Sequence, residues 1–222
     1  AGSNPAAPIF SPLTRAGCLM RINLPNQITL GRLVLSIACL ALLHQYDVHM
    51  RPAHHWMLQA AFWLFIVAGI SDILDGYLAR KHNQITSFGR VLDPFVDKTL
   101  VCGAFILLLG NGFYDNVRNN VTGLSAWMVV VIVGRELLVT SLRGFSEAKG
   151  TPFAANLWGK TKMVVQCITI PLILKTVDEW RDIPWIITWR NGMIWLTIAV
   201  TLASVFPYLL AARASISETA RE

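Results

Sequence analysis

The chain of 222 residues is 54% hydrophobic and only 14% charged, and its mean hydropathy is +0.50. A soluble domain carries about 45–50% apolar and about 25% charged residues, so the composition excludes an ordinary soluble domain and also a disordered chain. The four cysteines stand singly, with no zinc-binding spacing, which excludes a disulfide scaffold. We therefore expect one all-α domain embedded in a membrane.

The net charge of +6 fits two kinds of partner. On a soluble protein it would suggest nucleic acid, whereas on a membrane protein Lys and Arg face the anionic headgroups of the cytoplasmic leaflet. The sequence lacks the interleaved basic and aromatic residues of a platform for single-stranded nucleic acid. We therefore expect membrane lipids, and no nucleic acid, as partners.

Six apolar segments approach the length of about 20 residues that a helix needs to cross a bilayer. They are predicted at about residues 28–46, 56–80, 91–109, 124–142, 157–174 and 185–210, with Arg190 and Asn191 interrupting the start of the last. The six-helix domain is expected to cover residues 22–212. Residues 1–21 are expected to form a short interfacial helix or to be in part non-native, and residues 213–222 a cytoplasmic tail.

Most of the 19 Lys and Arg residues fall on the side of these spans that carries both termini. Positive residues concentrate on the cytoplasmic side of a membrane. Both termini are therefore predicted to be cytoplasmic, and the even number of spans agrees with this. The expected location is the cell (inner) membrane of a bacterium, or the mitochondrial inner membrane in a eukaryotic host.

Four aspartates lie at the facing ends of the second and third spans. Asp72 and Asp75 are three residues apart, and Asp93 and Asp97 are four apart, so each pair lies on one helix face. The short connection makes the two helices antiparallel neighbours, so the four carboxylates can converge just inside the cytoplasmic boundary. Ionisable groups within a span are costly, which indicates a functional site.

Four carboxylates at close range repel unless some are protonated or cations lie between them. Oxygen ligands without His or Cys suit hard ions such as Mg²⁺, Mn²⁺ or Ca²⁺, and two such ions would suit phosphoryl transfer. Pairing with Arg80, Arg90 and Lys98 is the purely structural alternative, and it explains the full set of four carboxylates poorly.

Gly76 and Ala79 leave a notch beside the carboxylates that either packs a helix or admits a planar ligand. Arg80 ends the same helix and can contact a phosphate or reach the headgroups.

These residues resemble the signature of the CDP-alcohol phosphotransferase family. The match covers every fixed position, namely Asp72, Asp75, Gly76, Ala79, Arg80, Gly89, Asp93 and Asp97. The resemblance implies a six-helix bundle that transfers a phosphoryl-alcohol group from a CDP-linked alcohol to a second alcohol and releases CMP. It also implies that the four aspartates hold two Mg²⁺ or Mn²⁺ ions and that Asp97 is the general base.

The resemblance further implies a binding site for the CDP-linked substrate. Gly76 and Ala79 would border the cytidine, Arg80 would hold the diphosphate, and Gly89 belongs to the same stretch. Residues 25–32 resemble the family's N-terminal stretch, where Asn26 and Arg32 are expected to contact the nucleotide or diphosphate. For Arg32, a headgroup anchor is an equally good interpretation.

Four cations are predicted on the same membrane side as the carboxylates: Arg135, Arg143, Lys160 and Lys162. Arg135 and Arg143 are roughly two helical turns apart and can share a face. A basic pocket beside a metal site suits a phosphorylated acceptor, although ordinary cytoplasmic charge is the alternative. Glu136 is expected to pair with a neighbouring cation.

The Gly134-Arg135-Glu136 run, Arg143 and residues 159–162 resemble the bacterial phosphatidylglycerophosphate synthase branch of the family. This implies CDP-diacylglycerol and sn-glycerol 3-phosphate as substrates. Phosphatidylglycerol (in a cardiolipin synthase), inositol phosphate and serine remain alternative acceptors, and the basic cluster disfavours the first.

A divalent-cation transporter is the alternative from a different class of protein. A transporter would spread its carboxylates through the membrane depth, whereas these four aspartates cluster near one face. A homodimer is expected from the family alone.

Overall fold

The computed structural model describes residues 24–82, 87–117, 119–148 and 157–208, with side chains described for 29–71, 95–117, 119–146 and 159–208. These residues form six α-helices: α1 (Leu24–Gln45), α2 (Arg51–His82), α3 (Ser87–Leu107), α4 (Ala126–Ala148), α5 (Leu157–Asp178) and α6 (Pro184–Ala203). The described part contains no β-strand, only an isolated bridge between Tyr114 and Asn120. Each predicted apolar segment therefore corresponds to a helix.

Apolar side chains that recur at helical spacing hold the six helices together. Helix α1 packs against α2 and α3, α5 packs against α6 and α2, and α4 packs against α6 and α3. The largest fully buried apolar residues include Leu43, Phe65, Phe105, Ile132 and Ile173, one from each of the first five helices. Burying side chains of this size is the main favourable contribution to packing within the bundle.

The outer surface of the bundle is also apolar. Leu30, Val34 and Ile37 form an exposed stripe on α1, and Trp63 and Val67 are exposed one turn apart on α2. Residues 48–71 and 184–208 form helices long and apolar enough to cross a membrane, and the apolar helix of residues 29–45 is shorter. Large apolar patches on an outer surface need an apolar surrounding, so the described residues form an all-helical fold whose outer surface suits a membrane.

Arg190 and Asn191 do not interrupt α6, contrary to the expectation that they disturb its start. The helix continues through both residues because Arg190 is buried and donates a hydrogen bond of 2.7 Å to the carbonyl of Val121. The loop before α4 makes room for this contact at Gly123, whose φ is +77°. The positive φ strains any residue with a Cβ, and a Cβ there would also lie 2.8 Å from Nη2 of Arg190, so both features favour glycine.

A dense polar cluster joins the end of α5 to the beginning of α2. Asp178 is buried and accepts hydrogen bonds of 2.6 Å from Gln59 and 2.6 Å from the ring of His55, while Arg51 donates to its main-chain carbonyl. Lys175 bridges Gln59 and Glu179, at 3.0 and 2.9 Å, and Gln59 also donates to Glu179. We call this group the Asp178 cluster.

Candidate functional site

The carboxylate signature lies where α2 ends and α3 begins. Asp72 and Asp75 are helical residues of the last third of α2, and Asp93 and Asp97 are helical residues of α3, so the backbone puts each pair on one helix. Of the predicted metal and CDP-diacylglycerol-binding residues, several have side chains outside the described part: Asn26, Asp72, Asp75, Gly76, Ala79, Arg80, Gly89 and Asp93. The convergence of the four carboxylates therefore stays a prediction.

Asp97 is the signature carboxylate whose surroundings are described. It lines a small cavity together with Arg32 of α1 and with Met163 and Cys167 of α5. The carboxyl group interacts electrostatically with Lys162, Arg32 and Glu136. Arg32 is buried on α1, which is a position suited to holding an anion inside the bundle rather than to anchoring headgroups.

A buried ion cluster links α4, α5 and the end of α6. Lys162 donates to Glu136 at 2.5 Å, Arg135 donates to the same carboxylate oxygen at 3.0 Å, and Nε of Arg135 donates to Ser204 at 2.8 Å. The three ionisable residues are only 6–8% exposed. The predicted pairing of Glu136 with a neighbouring cation is thus confirmed. We call these four residues the Glu136 cluster.

The charges of the Glu136 cluster do not cancel. It contains two cations and one carboxylate, and the buried Nη2 of Arg135 has no hydrogen-bond partner in the part of the chain that the structure describes. A buried donor without a partner costs free energy, more so when it is charged. The arrangement therefore favours a bound anion, and a planar guanidinium nitrogen beside an ammonium group is a common way to bind phosphate.

The other two predicted acceptor residues, Arg143 and Lys160, differ in their surroundings. Arg143 donates to the hydroxyl of Tyr208 at 2.7 Å, and the guanidinium groups of Arg143 and Arg135 lie 5.4 and 5.8 Å from the centre of the Tyr208 ring. Lys160 is exposed and precedes Lys162 by two residues, so it points to a different side of α5. The structure thus brings together Arg135, Arg143 and Lys162, and it leaves Lys160 at the surface.

Ser204 and Tyr208 contact the cations, and the buried Gln166 lies one turn from Lys162; the sequence did not identify these three residues. A signal was present, because Thr197, Thr201, Ser204 and Tyr208 recur at helical spacing near the end of an otherwise apolar segment. A polar stripe on an apolar helix indicates a polar interior in a membrane bundle. The stripe alone does not reveal which helix it faces.

The donor chemistry of the signature fits a hard divalent ion. The side chains are carboxylates without His or Cys, and helical spacing places them in two pairs on consecutive helices. Among the described residues, no group of three or more His, Cys, Asp or Glu side chains forms a metal site. A metal site formed by Asp72, Asp75, Asp93 and Asp97 therefore stays a prediction.

Comparison with known sequences identifies the family. The chain matches the family model of CDP-alcohol phosphatidyltransferases over residues 22–203. A Bacillus subtilis protein named CDP-diacylglycerol–glycerol-3-phosphate 3-phosphatidyltransferase is 34% identical over 194 residues, which are 84% of this chain and 93% of that protein. Proteins of the same name from Escherichia coli K12 (30%) and Haemophilus influenzae (28%) match 89% of this chain and 98% and 97% of their own length. The chain therefore belongs to the CDP-alcohol phosphatidyltransferase family.

Proposed function

We propose that this protein transfers the phosphatidyl group of CDP-diacylglycerol to sn-glycerol 3-phosphate, giving phosphatidylglycerophosphate and CMP. The excess of buried positive charge in the Glu136 cluster carries this proposal, because it suits a phosphorylated acceptor beside Asp97. The printed names of the relatives, which match most of the chain, support the same substrates. An acceptor without a phosphate, such as serine, would leave the unpartnered nitrogen of Arg135 uncompensated.

Asp72, Asp75, Asp93 and Asp97 would hold two divalent ions, Mg²⁺ or Mn²⁺. When bound, the ions would neutralise the diphosphate and stabilise the charge of departing CMP. On the nucleotide side, Asn26, Gly76, Ala79 and Gly89 would border the CDP group. Arg80 and the buried Arg32 would add positive charge to its phosphates.

Asp97 would act as the general base. Its carboxylate would take the proton from the primary hydroxyl of glycerol 3-phosphate as that oxygen attacks the lipid-side phosphorus. A new P–O bond forms to the acceptor, the P–O bond to the CMP phosphate breaks, and CMP leaves with that electron pair. Arg135 and Lys162 would hold the acceptor's own phosphate, with Arg143 and Lys160 nearby, so that the reacting hydroxyl stays near Asp97.

The same proposal includes a location for the chain. Six helices would cross the cell (inner) membrane, both termini would be cytoplasmic, and the site would open at the cytoplasmic face. The lipid chains of the substrate would then stay in the bilayer while the nucleotide meets water. The apolar outer surface of the described helices supports this arrangement, and a homodimer is the expected assembly.

The test is CMP release by the purified full chain in detergent, with CDP-diacylglycerol, Mg²⁺ and glycerol 3-phosphate. We expect release that EDTA abolishes and that Asp97→Asn lowers by about 10²–10⁴-fold, the usual contribution of a general base. Asp182→Asn is the matched control, because Asp182 is exposed in the turn between α5 and α6 at the other end of the bundle. Full activity of Asp97→Asn, or release only with an acceptor that lacks phosphate, would contradict the proposal.

A further inference from the structure

Two polar stripes face each other between α5 and α6. On α5 the stripe consists of Lys162, Gln166 and Thr169, and on α6 it consists of Thr197, Thr201 and Ser204. Members of each stripe follow one another at three or four residues, which puts them on one helix face. All six are buried, so the stripes form a polar seam between the two helices.

Hydrogen bonds at both ends fix how the seam is aligned. The hydroxyls of Thr169 and Thr197 are 2.9 Å apart at its deep end. At the other end, Ser204 and Lys162 are both tied to the Arg135–Glu136 pair. Because α5 and α6 are joined by a short turn and run antiparallel, the middle positions, Gln166 and Thr201, come opposite each other.

In each middle residue, one buried side-chain atom lacks a hydrogen-bond partner among the described residues. Gln166 is 1% exposed and Thr201 is fully buried, yet the amide Nε2 of Gln166 and the hydroxyl of Thr201 have no hydrogen-bond partner within the described residues. In contrast, the hydroxyl of Thr169, one turn deeper, contacts both Thr197 and a main-chain carbonyl. A buried polar atom without a partner costs free energy, so a facing pair is expected to bind a polar group.

The pair lies at the depth of the reacting carboxylate. Asp97 lines a small cavity with Met163 and Cys167, which are the α5 residues three before and one after Gln166. Lys162, which belongs to the Glu136 cluster, lies one helical turn before Gln166. Along α5, Gln166 therefore lies at the level of the Asp97 cavity and one turn from Lys162, close to where the middle of an acceptor held by the Glu136 cluster and Asp97 would lie.

We infer that Gln166, together with Thr201, determines acceptor specificity by binding the middle hydroxyl of glycerol 3-phosphate. This inference rests on the proposed function. A hydroxyl both donates and accepts hydrogen bonds. The middle hydroxyl of the acceptor can therefore accept a hydrogen bond from the Gln166 amide and form another with the hydroxyl of Thr201. A site built to bind a hydroxyl disfavours an analogue that lacks it, because the buried groups are then left unpaired. Gln166 and Thr201 are thus specificity-determining residues.

The experiment compares glycerol 3-phosphate with 3-hydroxypropyl phosphate, which keeps the phosphate and the primary hydroxyl and lacks the middle one. CMP release by the purified full chain gives kcat/KM for each acceptor. We expect the wild type to prefer glycerol 3-phosphate about tenfold, the effect of one net hydrogen bond. In Gln166→Leu the preference should disappear, because kcat/KM falls for glycerol 3-phosphate and stays within about twofold for the analogue.

Thr201→Val is the second variant and Thr197→Val its matched control. Both replace a buried threonine of α6 by a residue of the same shape, but the hydroxyl of Thr197 already has partners. The preference for glycerol 3-phosphate should fall in Thr201→Val and persist in Thr197→Val. If Gln166→Leu does not fold, Thr201→Val alone tests the inference. An equal loss for both acceptors in Gln166→Leu and Thr201→Val, or no preference in the wild type, would overturn the inference. If the wild type releases no CMP with either acceptor, the proposed function is overturned, and the inference with it.

Discussion

Each end of the bundle carries a polar cluster, partly exposed around the buried Asp178 and buried around Glu136, and the clusters differ in how completely their groups are paired. In the Asp178 cluster the carboxylate of Asp178 accepts hydrogen bonds from two side chains, and Lys175 pairs with Glu179 inside the same cluster. In the Glu136 cluster one carboxylate accepts from two cations, and one guanidinium nitrogen of Arg135 has no partner within the described segments. Complete pairing suits a role in stability, whereas incomplete pairing of buried charge suits ligand binding.

The largest effect that separates the two ends is expected from matched lysine substitutions on α5. Lys162→Met removes a cation of the Glu136 cluster, so kcat/KM for glycerol 3-phosphate should fall about hundredfold, the size of a lost charge-assisted hydrogen bond of about 1.5–3 kcal/mol. Lys175→Met removes a cation of the Asp178 cluster and should leave kcat/KM within about twofold. Steady-state CMP release measures both, and equal losses in the two variants would contradict the difference between the clusters.

A smaller effect, on stability rather than catalysis, is expected from Asp178→Asn. The side-chain amide of the asparagine would present its hydrogens to donors that now meet a carboxylate oxygen, so His55 or Gln59 would lose its acceptor on the buried residue 178. We expect a loss of about 1–3 kcal/mol, seen as a drop in Tm of several degrees in detergent. The KM for glycerol 3-phosphate should not change, and a raised KM with unchanged Tm would show that this end takes part in binding.

The smallest expected effect concerns Glu179, which follows α5. The hydrogen bond from Lys175 lowers the pKa of this carboxyl below its ordinary value of 4.5. The folded protein therefore favours the ionised form, so the stabilisation is complete above the ordinary pKa and is lost as the pH falls through the lowered one. The group is exposed, so the effect is small.

Thermal unfolding of the wild type and Glu179→Gln at a series of pH values measures this contribution. The wild type should have the slightly higher Tm near neutral pH, and the difference should shrink as the pH falls below 4.5. A difference that grows toward acid pH would show that the sign is wrong. High salt should reduce the difference, because the pair is exposed to solvent.

Much of the fold could be predicted from the sequence, because apolar runs and helix periodicity are local properties. The six helices lie where the apolar segments indicated. Glu136 pairs with Arg135, its neighbour in the chain, and with Lys162 on the next helix. Arg190 was harder to interpret, because its hydrogen-bond acceptor, the carbonyl of Val121, lies 69 residues away. A charge in an apolar run indicates a cost but not the group that compensates it.

The Asp178 cluster and the seam could not be predicted for a related reason. The partners of Asp178 lie at the beginning of α2, more than a hundred residues earlier, and no periodicity within either helix links them. In the seam, the spacing of Thr197, Thr201 and Ser204 was visible, but their position opposite Gln166 depends on how α5 and α6 pack. Adjacency between helices is a property of tertiary packing rather than of local sequence.

The most direct test is the thermal stabilisation of the purified chain by glycerol 3-phosphate. A ligand at about 100 times its Kd stabilises the folded protein by about 2.7 kcal/mol, which is readily measured as a rise in Tm. We predict that the wild type and Lys175→Met show this rise and that Lys162→Met does not at the same concentration. A rise retained in Lys162→Met and lost in Lys175→Met would contradict the assignment of acceptor binding to the Glu136 cluster.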